Sequence, residues 1–159
     1  MEILNTILKK REAEGLKRNI KPSVSGIDFC SNDYLGLAKS SALHQDILEA
    51  LNQNTFGNGA TGSRLLSGNN LAYEDLEKDI ALFHHAEAAL IYPSGYQANI
   101  GLLQCIAAKG DTLILDELAH ASLIDGARLS HAKRFKFQHN NLADLKKKLE
   151  QATGNIFVV

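Results

Sequence analysis

From Ala88 to Val159 the sequence alternates short apolar runs with longer stretches of helical periodicity, and this alternation leaves few folds open. Ala88 to Tyr92 reads as a buried strand, stopped by Pro93, which has no N–H to give to a ladder. A helix is predicted from about Tyr96 to Ala108, ended by Gly110 as its C′ residue. The strand Thr112 to Asp116 follows, then a helix over 119–130 and a strand from Arg134 to Phe137. Asn141 caps a further helix with Leu142, Leu145 and Leu149 inward; Gly154 ends it, and Ile156 to Val159 opens another strand. Repeated βα units with short loops imply an α/β fold, a mainly parallel sheet covered by helices. The last residues lie inside an apolar strand, so the expectation is the N-terminal part of a longer protein, or a sheet that a partner chain completes.

Ligands in such sheets bind at the carboxyl ends of the strands. Three polar clusters fall there: Ser94-Gly95-Tyr96, Glu117 to His120, and His139-Asn140-Asn141. The first is a tight turn into a helix N-terminus, whose unpaired N–H groups and positive dipole end suit an anion. Gly95 lets a ligand come close to the backbone. From the turn alone, a phosphate site and an ordinary βα connection both remain open.

Upstream, residues 1 to about 19 read as a helix with a narrow stripe of Ile3, Leu4, Ile7 and Leu8, and Leu16 further along. So narrow a stripe suits contact with another surface, such as a partner subunit. Lys17 and Arg18 near its end either meet an anionic ligand or complement the helix dipole. Gly26 to Cys30 reads as a short strand, Asn32-Asp33 before Gly36 as a structured turn, and Ser40 or Ser41 as the cap of a helix with Leu43, Ile47, Leu48 and Leu51 on its apolar face. Phe56 to Gly68 holds four glycines, which marks a linker or a loop whose backbone passes close to something. Arg64, Leu65 and Leu66 argue against a plain linker, and the spacing matches neither a P-loop nor a dinucleotide fingerprint. Asn69 or Asn70 caps the next helix, with Tyr73, Leu76, Ile80 and Phe83 as its buried stripe.

Composition narrows the classes. Hydrophobic residues are 45% and charged residues 22%, as in globular proteins, and a net charge of -1 offers no basic surface for nucleic acid or an anionic membrane. The basic groups at Lys9 to Arg18 and Lys146 to Lys148 fall on amphipathic helices and read as solvated faces. Cys30 and Cys105 are expected to be reduced core thiols of a cytoplasmic protein. No signal peptide is visible, and no run approaches the roughly 18 apolar residues of a membrane span. The adjacent His84 and His85 point to different sides of a helix, a poor metal pair, and no metal site is expected.

Four segments in this order resemble a known family: Ser31 to Leu37, the loop ending Gly62 to Gly68, Pro93 to Asn99, and His120 to Gly126. Together they are similar to the α-oxoamine synthases, fold-type I enzymes that use pyridoxal 5'-phosphate (PLP). The likeness runs from the first helix to the last residue and is strongest to the branch that condenses L-alanine with a pimeloyl thioester in biotin biosynthesis. It implies the N-terminal part of the PLP-binding large domain over 40–159, preceded by an N-terminal helical arm over 1–39. It further implies that Ser94, Gly95 and Tyr96 bind the cofactor phosphate. The same resemblance implies that His120 lies over the cofactor ring near substrate, that Arg18 or Lys17 meets a substrate carboxylate or acyl carrier, and that Asn32 contacts a substrate carboxylate. The implied partners are an amino acid and an acyl thioester, as acyl-CoA or on acyl carrier protein, and the implied assembly is a cytoplasmic homodimer with the glycine loop at the subunit interface. The family's Schiff-base lysine and its cofactor-holding aspartate lie in Gly-Lys-Gly and Asp-Asp-Ala-His segments, and neither segment occurs here. The chain is therefore expected to be inactive alone. Other branches of the family, the glycine C-acetyltransferase and 5-aminolevulinate synthase types, and a non-catalytic partner subunit remain as alternatives.

Overall fold

The structure is a computed structural model that describes residues 2–20, 26–53 and 59–159. The chain divides into two compact units, 1–55 and 56–159.

In the first unit, helix α1 (Glu2–Ala13) ends where Gly15 takes a left-handed φ of 68°. Its stripe of Ile3, Leu4, Ile7 and Leu8 is exposed, and Leu16 lies beyond the helix end. The strand expected over Gly26 to Cys30 does not form. The Asp28 carboxylate accepts the N–H groups of Cys30 (2.8 Å) and Ser31 (3.0 Å), and that local turn takes donors a ladder would need. Ser31 Oγ then accepts from Asp33 N, Asp33 accepts from Ala38 N, and Gly36 at φ 67° leads into one 3₁₀ turn over Leu37–Lys39. Ser40 Oγ accepts from Leu43 N and starts α2 (Ser41–Gln53).

The second unit holds α3 (Leu71–Phe83), α4 (Gly95–Ile106), β1 (Thr112–Asp116), α5 (Ala121–Leu129), β2 (Lys133–Phe137), α6 (Leu142–Glu150) and β3 (Ile156–Val158). The strands form a parallel sheet in the order β2-β1-β3, with Ile114 opposite Phe135 on one side and Val158 on the other. Thr112 to Leu115 are buried, as a central strand of a parallel sheet requires. β2 lies outside it and carries exposed Lys133, Arg134 and Lys136, charges that discourage further pairing at an edge.

Ala88 to Tyr92 is not a strand among the described residues, and most of it is exposed. Both edges of β1 are taken by β2 and β3, and the Ile91 N–H donates instead to Glu77 Oε1 at 2.8 Å. Helix α4 ends at Ile106, before the expected boundary, because Ala107 turns extended; Gly110 makes its positive-φ turn three residues later. The apolar stripes are also less covered than their spacing implies. Leu76, Phe83, Leu142 and Leu149 are exposed, and α3 buries Ala81 instead. Cys30 and Cys105 are free and exposed, not core thiols.

The core gathers Leu103 and Ala107 of the α4 end, Leu113 and Leu115 of β1, Ala127 of α5 and Ala132. Small residues set its thickness. A Cβ on Gly126 would stand 2.9 Å from Asn99 O and 3.1 Å from Ile100 Cα, so α5 rests directly on the α4 backbone. At the amino end of the sheet, the buried Asp111 carboxylate accepts from Ala108 N, Asn155 N and Asn155 Nδ2, at 2.9, 2.9 and 3.1 Å. Those N–H donors hold its pKa below the usual value, that of Ala108 first.

Gly126→Ala forces α4 and α5 apart and is expected to destabilise the chain by about 1–3 kcal/mol, read as a lower melting temperature. Gly95→Ala, whose Cβ meets nothing within 4 Å, is the control and leaves the melting temperature unchanged or slightly raised.

Candidate functional site

The site grows from the start of α4. Ser94 is extended and its Oγ accepts from Gln97 N at 3.2 Å, while its carbonyl accepts from Ala98 N at 3.0 Å. The N–H groups of Gly95 and Tyr96 have no acceptor among the described residues. The space above Gly95 is open, with nothing within 4 Å of a Cβ placed there. Two free donors at a positive helix end, under open space, form an anion cradle.

His120 caps α5 opposite this turn. Its ring centroid is 6.1 Å from that of Tyr96, at an interplanar angle of 74°. Its Nδ1 accepts from Ser122 N at 3.2 Å and lies 2.7 Å from Ser122 Oγ, which takes a hydrogen bond from Asn99 Nδ2 at 2.8 Å. The Tyr96 hydroxyl donates to Asp125, and Arg128 Nη1 binds the same carboxylate at 3.0 Å. The Tyr96 bond lowers the Asp125 pKa and, with burial, raises that of the phenol. The turn on α4 and the histidine on α5 are thus tied by two side-chain links across one helix crossing.

The third polar cluster joins the same strand ends. His139 Nδ1 lies 3.0 Å from both oxygens of Asp116, and its backbone N–H donates to Glu117 Oε1 at 2.9 Å. Asp116 also accepts from Leu118 N at 2.8 Å, the main cause of its lowered pKa.

The glycine loop is linked to the segment that enters the turn through Arg64 and Glu77. Phe56 to Asn58 lie outside the described residues; the rest is ordered, with the N–H groups of Leu66, Ser67 and Gly68 all directed at Ser63 O. A Cβ on Gly68 would collide with the Gly62 carbonyl, which is why the loop needs glycine there. Arg64 forms a bidentate pair with Glu77 at 2.6 and 2.9 Å, and Glu77 holds the Ile91 N–H three residues before Ser94. Arg64 also donates to Asn69 and lies over the Tyr73 ring.

Ser94, Gly95, Tyr96 and His120 are therefore brought together. Lys17, Arg18 and Asn32 belong to the first unit, where Lys17 Nζ is engaged by Glu12 at 3.0 Å and the Asn32 carbonyl accepts from Tyr34 N. Asn99, Ser122, Asp125 and Glu77 were not singled out from the sequence as functional. Asn99, Ser122 and Asp125 lie inside the quoted segments, and their polarity within helices is the signal that marks them.

The profile of the aminotransferase class I and II family matches residues 24–159, and the chain belongs to that family. It is 45% identical over 127 residues to an 8-amino-7-oxononanoate synthase of Lysinibacillus sphaericus, covering 80% of this chain and 32% of that one. It is 42% identical over 161 residues to 8-amino-7-oxononanoate synthase 2 of Bacillus subtilis strain 168, covering 93% and 41%. The chain thus spans 32% and 41% of the length of these relatives. Among solved structures it resembles Sphingomonas wittichii serine palmitoyltransferase, with a TM-score of 0.72 and 35% identity over 79% of this chain and 32% of that one. It also resembles 8-amino-7-oxononanoate synthase from Francisella tularensis, with a TM-score of 0.66 and 28% identity over 84% and 36%. One serine palmitoyltransferase in this group was determined with PLP. The parallel sheet and its covering helices are those of the fold-type I PLP transferases.

The Arg64 guanidinium, and then the Ile91 N–H, hold the Glu77 carboxyl at about 2, below its ordinary 4.5. A depressed carboxylate pKa stabilises the fold above the ordinary value and loses that contribution as pH falls through the depressed one. The melting-temperature difference between the native chain and Glu77→Gln is expected to be largest above pH 4.5 and to close toward pH 2. A pH-independent difference would show that the pair adds no charge-dependent stability.

Proposed function

We propose that this chain is part of a PLP-dependent α-oxoamine synthase and carries its phosphate cradle and one face of its cofactor-ring site. For the whole protein the reading is 8-amino-7-oxononanoate synthase. L-Alanine and a pimeloyl thioester, on CoA or acyl carrier protein, condense to 8-amino-7-oxononanoate with loss of CO₂ and release of the thiol carrier, in biotin biosynthesis. The observation that carries it is the pair of free N–H groups at Gly95 and Tyr96 beside the His120 ring, in a chain whose relatives bear that name.

The residues fit PLP. A phosphate dianion suits two unpaired donors at a helix N-terminus, and the open space over Gly95 admits close approach. When bound, PLP supplies an electron sink for the carbanion at the amino-acid α-carbon. Gly95 and Tyr96 bind the phosphate through backbone N–H groups, and Ser94 caps the helix so that those donors stay fixed. His120 flanks the ring and contacts substrate. Arg18 or Lys17 meets a substrate carboxylate or the acyl carrier, and Asn32 a substrate carboxylate. The protein acts as a cytoplasmic homodimer with the glycine loop at the subunit interface. Because the Gly-Lys-Gly and Asp-Asp-Ala-His segments do not occur in these residues, the 159-residue chain by itself is inactive.

The likeness to serine palmitoyltransferase supports a second reading, an α-oxoamine synthase that takes a different amino acid. Two measurements test the proposal. PLP is expected to bind the chain about tenfold or more tightly than pyridoxal, which lacks the phosphate; equal affinities would remove the cradle. In the full-length protein, CO₂ release from L-alanine is expected to require a pimeloyl thioester. Release from serine or glycine instead would favour the second reading.

A further inference from the structure

Ser122 is fully buried, yet both its hydroxyl and its backbone N–H converge on one atom. Its N lies 3.2 Å from His120 Nδ1, and its Oγ lies 2.7 Å from the same nitrogen. The peptide plane fixes the backbone hydrogen, so this contact decides the rest: Nδ1 accepts and carries no proton. The hydroxyl then reaches Nδ1 only by donating its hydrogen. That leaves lone pairs for Asn99, so Asn99 presents its NH₂, at 2.8 Å. A neutral imidazole has one ring proton, and Nε2 is the position left for it.

We propose that Asn99 and Ser122 are positioning residues that hold His120 as its Nε2–H tautomer and so fix that nitrogen as a hydrogen-bond donor at the site. The relay runs from α4 through a buried hydroxyl to the first residue before α5. It orients the ring as well as its proton, because Nδ1 is also the acceptor that caps α5. The neighbouring Tyr96 hydroxyl is committed to Asp125 and does not compete for the imidazole. The use of the Nε2 donor toward cofactor or substrate rests on the function proposed above; the tautomer does not.

The test is a long-range ¹H–¹⁵N correlation on the protein labelled with ¹⁵N-histidine, without cofactor, with the His120 signals assigned by their loss in His120→Gln. The expected pattern is an unprotonated Nδ1 and a protonated Nε2. Asn99→Asp, nearly isosteric, replaces the donor with an acceptor. It draws the Ser122 hydroxyl away and moves the Nδ1 resonance further from the protonated range, toward the value of a nitrogen that accepts less. Ser122→Ala removes the hydroxyl and moves Nδ1 the same way. A protonated Nδ1 in the native protein overturns the proposal, as does a His120 spectrum unchanged by both substitutions. The native spectrum decides even where a variant fails to fold. Failure of PLP to bind a protein with the expected spectrum would refute the cofactor reading and leave the relay standing.

Discussion

The site depends on how closely two helices cross. Gly126 lets α5 lie on the α4 backbone at Asn99 and Ile100, where any side chain would hold them apart. Only at that separation does Asn99 reach Ser122, and Tyr96 reach Asp125. The core beneath is built to match, with Leu103 and Ala107 at the end of α4, Ala127 on α5, and Leu113 and Leu115 on β1. The hydrophobic term sets the helices on the sheet, and the small residues set the distance at which polar side chains can meet.

Charged groups divide the work between the two ends of the sheet. Asp111 at the amino end is surrounded by N–H donors from the loops before β1 and β3, and it latches strand to strand. At the carboxyl end Asp116 accepts from the backbone N–H of Leu118 but also faces the His139 side chain, and Asp125 faces the side chains of Tyr96 and Arg128. Backbone partners make a latch that moves only with the fold. Side-chain partners leave groups that a ligand can meet. The Arg64–Glu77 pair belongs to neither end: it ties the glycine loop to α3 and, through Ile91, to the segment that enters the anion turn.

Much of this was legible in the residues. Asn70 and Asn141 each cap the helix that follows them, because a short polar side chain there satisfies an N–H left open by helix geometry. The central strand was legible because Thr112 to Leu115 are buried on both faces. Two expected strands failed for a physical reason. A strand is a pairing and not only a composition: at Ile91 the N–H went to a glutamate, and at Cys30 and Ser31 to Asp28. The exposed faces of α1 and α2 and of Leu76 and Phe83 make the same point for burial, which belongs to the surface that covers a residue as much as to the residue.

The βα alternation carried the class of fold, since short-range sterics, caps and periodicity act within a few residues. It also held two of the four segments that resemble the family, Pro93 to Asn99 and His120 to Gly126. The sequence by itself placed Ser94, Gly95 and Tyr96 at the start of one helix and His120 just before another, after the central strand. Only the tertiary structure decided that Asn99 donates to the Ser122 hydroxyl that meets one nitrogen of His120, because that contact is set by the crossing of two helices whose contacting residues are 23 positions apart.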